Sequence, residues 1–257
     1  MSYIFLISSI FVFVFGVCIG SFLNCFIYRL EQNKKMSGRS FCPHCKHTLS
    51  WQDLFPVFSF LFLGGKCRYC HKKISIQYPA IEILTGLIFL LIFSFNYGIL
   101  ATVFLFYIFS SLIVIFIYDL KHYIIPDKVL FPAIAVAVVY NLIPPYNLQH
   151  LFYVFLAVII ASGFFLAIFL LSRGKAMGFG DVKLAILMGL LLGLPNILAA
   201  LFLAFFFGAI IGIILMVYKK KSLKSEIPFG PFLIAGTFLA LFWGEQLIGL
   251  YMRLFLI

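Results

Sequence analysis

Long apolar runs separated by short polar breaks dominate this chain, and most of them exceed the apolar stripe of a soluble helix. A helix needs about 20 apolar residues to cross about 30 Å of hydrocarbon. Runs of this kind lie at 3–28, 79–95, 98–118, 128–143, 148–172, 182–193, 196–217 and 229–252, the sixth being short. The pattern predicts an all-α polytopic membrane protein of about eight transmembrane helices. A cleavable signal peptide would need a positive start and an apolar core of about 7 to 15 residues. Met-Ser-Tyr supplies no charge and the first run is longer, so it is expected to remain as a span. Within it, Gly16 and Gly20 form a G-x-x-x-G that lets another helix approach closely.

Composition agrees with the pattern. The chain is 64% hydrophobic and 11% charged, with 34 phenylalanines, whereas soluble domains run near 25% charged. The net charge of +11 raises the question of nucleic acid, but the basic residues fall almost entirely into alternate breaks. Arg29, Lys34, Lys35, Arg39, Lys46, Lys66, Arg68, Lys72 and Lys73 follow the first run, and Lys121 and Lys128 follow the third. Arg173, Lys175 and Lys183 flank the break after the fifth, and Lys219, Lys220, Lys221 and Lys224 follow the seventh. The intervening breaks at 94–98 and 141–150 hold no Lys or Arg. By the positive-inside rule the basic breaks are cytoplasmic and both termini lie outside. The charge is therefore topological, its expected partner is the anionic bilayer surface, and no nucleic acid is implied.

Between the first two runs, residues 31–78 form the one sizeable polar segment, with F-C-P-H-C and K-C-R-Y-C. The pairs Cys42/Cys45 and Cys67/Cys70 are separated by 21 residues, close to the C-x-x-C repeat of zinc ribbons, in which two knuckles offer four thiolates to one metal. Two disulfides are the competing account, and they are rare in the reducing cytoplasm. A segment this short also needs a staple to fold. A four-thiolate site leaves no open position, so the metal is expected to be structural. His44, His47 and His71 are close enough to be alternative ligands, and Cys18 and Cys25 read as small buried apolar residues. W-Q-D-L-F-P-V-F-S-F-L-F-L, at 51–63, is too short to span and is expected at the membrane interface.

The chain has four aspartates, and Asp119 and Asp181 stand at the edges of apolar runs. An acid at membrane depth costs about 2.5 to 3.5 kcal/mol even on lenient scales, so it is by default a functional candidate. Asp119, in Y-D-L-K-H-Y-I-I-P-D, precedes a break that ends at Pro126, where a helix restarts. Asp181, in G-F-G-D-V-K, opens the sixth run on the same side. Two carboxyls sharing a site cannot both ionise easily, so one keeps a proton while the other stays charged, the arrangement of aspartic proteases. Gly178 and Gly180 remove side chains beside Asp181, which would let a substrate backbone approach. Lys121 and Lys183 are expected to snorkel toward headgroups. Asp127 reads as a helix-start residue with a direct catalytic role as the alternative, and Glu82 is a further buried acid.

G-F-G-D resembles the G-x-G-D signature of intramembrane aspartyl proteases, and D-L-K-H-Y-I-I-P-D followed by G-F-G-D-V-K resembles the type IV prepilin peptidase family. The resemblance extends over nearly the whole chain, including G-S-F-L-N-C-F-I-Y-R-L at 20–30, both cysteine pairs, and I-Q-Y-P-A-I-E-I-L-T-G at 76–86. It implies an enzyme that cuts the basic leader from prepilins or pseudopilins at the cytoplasmic face, with Asp119 and Asp181 as the catalytic pair. Many members also N-methylate the new terminus with S-adenosylmethionine, and the cysteine module points to that bifunctional form. The expected domains are a first span at 1–30, a zinc module and methyltransferase region at 31–78, and a seven-span peptidase at 79–257. A proton-coupled transporter using Asp119 and Asp181 as a relay is the alternative, although such acids usually sit near the midplane.

Overall fold

The computed structural model describes residues 2–143, 147–175, 177–218 and 227–255. Eight helices coincide with the eight expected runs: α1 (Ser2–Glu31), α3 (Gln77–Ser94), α4 (Ile99–His122), α5 (Asp127–Leu142), α6 (Leu148–Leu171), α7 (Phe179–Leu192), α8 (Asn196–Val217) and α9 (Gly230–Phe255). A short helix, α2 (Phe58–Phe62), lies in the polar segment after a 3₁₀ turn at Trp51–Leu54. Among the described residues six helices are long and apolar enough to cross a membrane, namely α1, α3, α4, α6, α8 and α9. The other two, α5 with 16 residues and α7 with 14, reach about 24 and 21 Å. The chain is a multi-pass membrane protein. Of the basic breaks, Lys219, Lys220, Lys221 and Lys224 lie outside the described residues.

The chain divides into two compact units, Met1–Val114 and Ile115–Ile257. In the first, α1 packs along α3 through small residues. A Cβ built on Gly16 would stand 2.8 Å from the Gly86 Cα, and one on Gly20 would stand 2.7 Å from the Glu82 Cα. Such backbone contact is what a G-x-x-x-G permits, because dispersion between helices replaces the hydrophobic drive that lipid cannot supply. Cys18, expected to be buried, is exposed, and Cys25 is half-buried with its sulfur 3.9 Å from the Ser40 hydroxyl. The α1–α3 contact is carried by glycines and leaves Cys18 outside it.

In the second unit the same device recurs. Gly189 of α7 would clash with the Val158 backbone of α6 if it carried a Cβ, at 2.7 Å, and Gly236 of α9 lies against Ala200 of α8. Asn141 of α5 donates to the Leu190 carbonyl of α7 at 3.0 Å, which satisfies a polar group at a buried crossing. These contacts hold the C-terminal half of the short α7 against α5 and α6.

Candidate active site and metal centre

Asp119 lies in the last turn of α4, where Tyr123, at φ 58, turns the chain out of the helix while its N–H donates to the Asp119 carbonyl at 2.9 Å. Pro126 then caps α5, so the bend after Asp119 is short and built from restricted residues. Asp181 is the third residue of α7, and its carboxylate reaches back to accept the N–H of Gly178, the N-cap. This reach is the carboxylate half of a capping box. Both acids are buried, at 4% and 8% exposure. They lie within Coulombic reach of each other.

A residue the sequence reading did not single out completes the arrangement. Gly230, the first residue of α9, donates its N–H to the Asp119 carboxylate. A Cβ built there would fall 2.6 Å from the Asp119 Oδ2. Ile125, in the bend after α4, fills the space beside two glycines: its Cβ would be 3.1 Å from a Cβ on Gly180, and its Cδ1 3.6 Å from one on Gly230. The starts of α7 and α9 thus converge on the α4–α5 bend. The space at Gly178 is open, with no atom nearer than the Asp181 Oδ2 at 3.8 Å.

Lys183 does not snorkel to headgroups as expected. Its ammonium pairs with the Asp127 carboxylate and lies 5.5 and 5.7 Å from the rings of Phe131 and Phe179. The pair ties the first residue of α5 to the first turns of α7, and the aromatic faces add cation–π attraction. Asp127 is indeed the opening residue of α5.

The cysteine segment forms two knuckles of the same design. Phe41 bridges Thr48 and Lys66 bridges Lys73. Cys42 donates its N–H to the His47 carbonyl and Cys67 to that of Lys72, both at 2.9 Å. Lys46 and His71, at equivalent places, take left-handed φ values of 60° and 55°. All six cysteines are free, so the disulfide account does not hold. The four knuckle sulfurs lie within 4.8 Å of one another, and those of Cys42 and Cys70 are 3.9 Å apart. Four sulfurs at about 2.3 Å from a tetrahedral ion stand about 3.8 Å apart, so the donors fit a metal. Burial pushes the Cys42 thiol up, but backbone N–H groups of Cys45 and His44 bring it down to about 7. In the same cluster the Lys72 N–H pulls the Cys70 thiol down, but burial and the neighbouring thiols push it up to about 11, so the four sulfurs share protons as one group. The His47 ring packs on Tyr69 at 3.7 Å between centroids, which occupies it outside the sulfur cluster.

Residues 14–95 match the bacterial peptidase A24 N-terminal domain, and residues 106–213 match the type IV leader peptidase family. A prepilin leader peptidase/N-methyltransferase of Bacillus subtilis (strain 168) is 31% identical, covering 94% of this chain and 97% of its own. Similarly named proteins of Legionella pneumophila and Aeromonas hydrophila are 32% and 31% identical over 93% and 95% of this chain, and 92% and 94% of theirs. No solved structure matches the chain. With buried paired aspartates, a four-cysteine cluster and relatives aligned almost end to end, this chain belongs to the type IV leader peptidase family, among the prepilin leader peptidase/N-methyltransferases.

Proposed function

We propose that the protein is an intramembrane aspartic endopeptidase that removes the basic leader from type IV prepilins or pseudopilins and then N-methylates the exposed terminus. The observation that carries this reading is the burial of Asp119 and Asp181 within each other's field, each carboxylate held by one glycine N–H. One acid stays ionised and takes a proton from water as it attacks the scissile carbonyl. The other donates its proton to that carbonyl oxygen; as the tetrahedral intermediate collapses and the C–N bond breaks, the proton taken from water passes from the first acid to the leaving amine, and the second acid recovers a proton from a hydroxyl of the intermediate. Open space at Gly178 leaves room for an extended substrate backbone beside Asp181, and the missing side chain of Gly180 lets Ile125 close against α7. The loop charges support an active site at the cytoplasmic face with both termini outside.

In this reading residues 79–257 cleave, and the module at 31–78 with the first span, 1–30, serves methyl transfer. S-adenosylmethionine is the methyl donor the family implies. Among the described residues no glycine-rich strand-to-helix turn exists to cradle its nucleoside, and no residue is assigned to it. Zinc is the ion proposed for Cys42, Cys45, Cys67 and Cys70, where it would fold the module and take no part in hydrolysis. Incubating purified protein with a prepilin and S-adenosylmethionine should release the leader and add the mass of one methyl group to the product, read by mass spectrometry. An intact prepilin after prolonged incubation would overturn the reading.

Two further outcomes follow from the same geometry. Freshly purified protein should carry about one zinc per chain, lost in Cys42→Ser with Cys67→Ser, and the segment between α1 and α3 should then become protease-sensitive. Metal-free protein with a protected segment would exclude the metal's structural role. Asp127→Asn should slow cleavage less than about tenfold, because a half-exposed ion pair contributes less than about 1 kcal/mol. A loss equal to that of Asp119→Asn would instead make Asp127 a third catalytic acid.

A further inference from the structure

Most of the large apolar side chains of residues 51–63 are exposed. Trp51 is 73% exposed and Phe62 86%, and Phe55, Phe58 and Leu61 are each more than half exposed. A contiguous apolar patch of this kind marks a contact surface. At its centre Val57 takes φ 62° and ψ −52°, closed by Phe58 donating its N–H to the Pro56 carbonyl at 2.6 Å. This is a γ-turn of the strained hand, adopted here by a β-branched residue. Strain of this sort persists only where the surroundings hold it.

The hold comes from Glu82. Val57 donates its N–H to the Glu82 Oε2 at 2.7 Å, and the Ser21 hydroxyl of α1 donates to the same carboxylate. Glu82 is 6% exposed and stands in the second turn of α3. That helix has 18 residues, about 27 Å, and about 30 Å of hydrocarbon must be crossed. It has no turn to spare, so its first turns lie at the hydrocarbon boundary. Helical side chains lean toward the N-terminus, so Glu82 pins the Val57 turn against those first turns. The aromatic side chains on either side of the turn are therefore at the boundary too.

Beside them is an open cavity of about 560 Å³ lined by Phe55, Phe58, Phe62, Leu63, Gln52 and Arg68. Arg68 is fixed there by donating its Nε–H to the Asp53 Oδ1 at 2.7 Å. Burial raises Asp53, but the Arg68 and Ser50 hydrogen bonds overcome it and hold the carboxyl below the usual range. Exposed Lys66, Lys72 and Lys73 stand on the adjoining knuckle. An aromatic floor with a cationic rim at this depth matches an acyl chain below a phosphate. We propose that residues 51–63 are a membrane-inserted loop latched by Glu82, and that the cleft beside Arg68 takes an anionic phospholipid.

The test needs no substrate and is independent of cleavage. Full-length protein carrying Trp243→Phe, which leaves Trp51 as its one tryptophan, is placed in nanodiscs containing brominated phosphatidylcholine or brominated phosphatidylglycerol. Bromine near the top of the acyl chains should quench Trp51 at least about twofold while aqueous acrylamide quenches little, as for a side chain at the interface. Brominated phosphatidylglycerol should quench more than the choline lipid, and Arg68→Gln should abolish that difference. Glu82→Gln keeps an acceptor oxygen and should behave as the parent, whereas Glu82→Ala should move Trp51 from lipid quenching to acrylamide quenching with zinc retained. Val57→Gly relieves the turn and should restore lipid quenching to Glu82→Ala, including where that variant alone folds poorly. Acrylamide quenching without lipid quenching in the parent overturns insertion. Unchanged quenching in Glu82→Ala overturns the latch, and equal quenching by the two lipids overturns the anionic site.

Discussion

Asp119→Asn and Asp181→Asn each slow leader removal at least about a thousandfold, with the helices intact. Asparagine has the shape of aspartate and keeps an oxygen that can accept the Gly230 or Gly178 N–H, so the hydrogen bonds of the start of α9 and the N-cap of α7 survive. What it lacks is the ability to take a proton from water or give one to a carbonyl. Neutralising the acceptor weakens each surviving bond by about 1 kcal/mol, far less than the kinetic loss. In the proposed mechanism the two acids act as one device, so the double variant should be no slower than the slower single one. Single-turnover cleavage of a purified prepilin, with circular dichroism as the control for folding, checks all three. A single variant retaining more than about a tenth of the parent rate would be incompatible with a shared dyad. Methylation of a substrate already lacking its leader should persist in both variants, because neither acid belongs to the cysteine segment.

Gly230→Ala should lower the cleavage rate about a hundredfold without touching an ionisable group, since a displacement near 1 Å at a reacting group is enough for that loss. The added methyl would stand 2.6 Å from the Asp119 Oδ2, inside any real contact, and 3.3 Å from its Cγ. Either the start of α9 backs away and the N–H no longer reaches the carboxylate, or the carboxylate swings off its position toward Asp181. The KM should change little, because the disturbed contact is one within the protein, between Gly230 and Asp119. Gly249→Ala is the control on the same helix, where an added Cβ meets nothing within 4 Å, and it should cleave at the parent rate. Equal activity of both variants would remove Gly230 from the site.

The helices and the two acids were legible because both signals are local. Apolar runs mark spans wherever lipid is the solvent, and a carboxyl beside them is conspicuous against a background with four aspartates in 257 residues. The knuckles were legible for a similar reason, since a C-x-x-C places two ligands on one short turn. Gly230 was not, because I-P-F-G-P reads as an ordinary helix start and nothing local says which distant carboxylate its N–H will meet. Lys183 was misread for a related reason. Two residues after Asp181 it cannot face that acid, and the headgroup region was the nearest alternative until α5 brought Asp127 beside it. Glu82 showed as a buried acid, but its partner is a backbone amide in a turn whose strain no propensity announces.

The two knuckles are alike in backbone and in ligands, so an ion held between them would carry no information about which half is which. A module of two like halves could sit on its membrane helices in either of two senses with the same sulfur cage. The choice is made by tethers outside the cage. Buried Arg29 at the end of α1 donates to the Gly38 carbonyl at 2.6 Å, just ahead of the first knuckle, and Glu82 holds the turn at Val57 between the halves. A metal held there would give this segment its cohesion, and these two side chains from the membrane helices set its orientation.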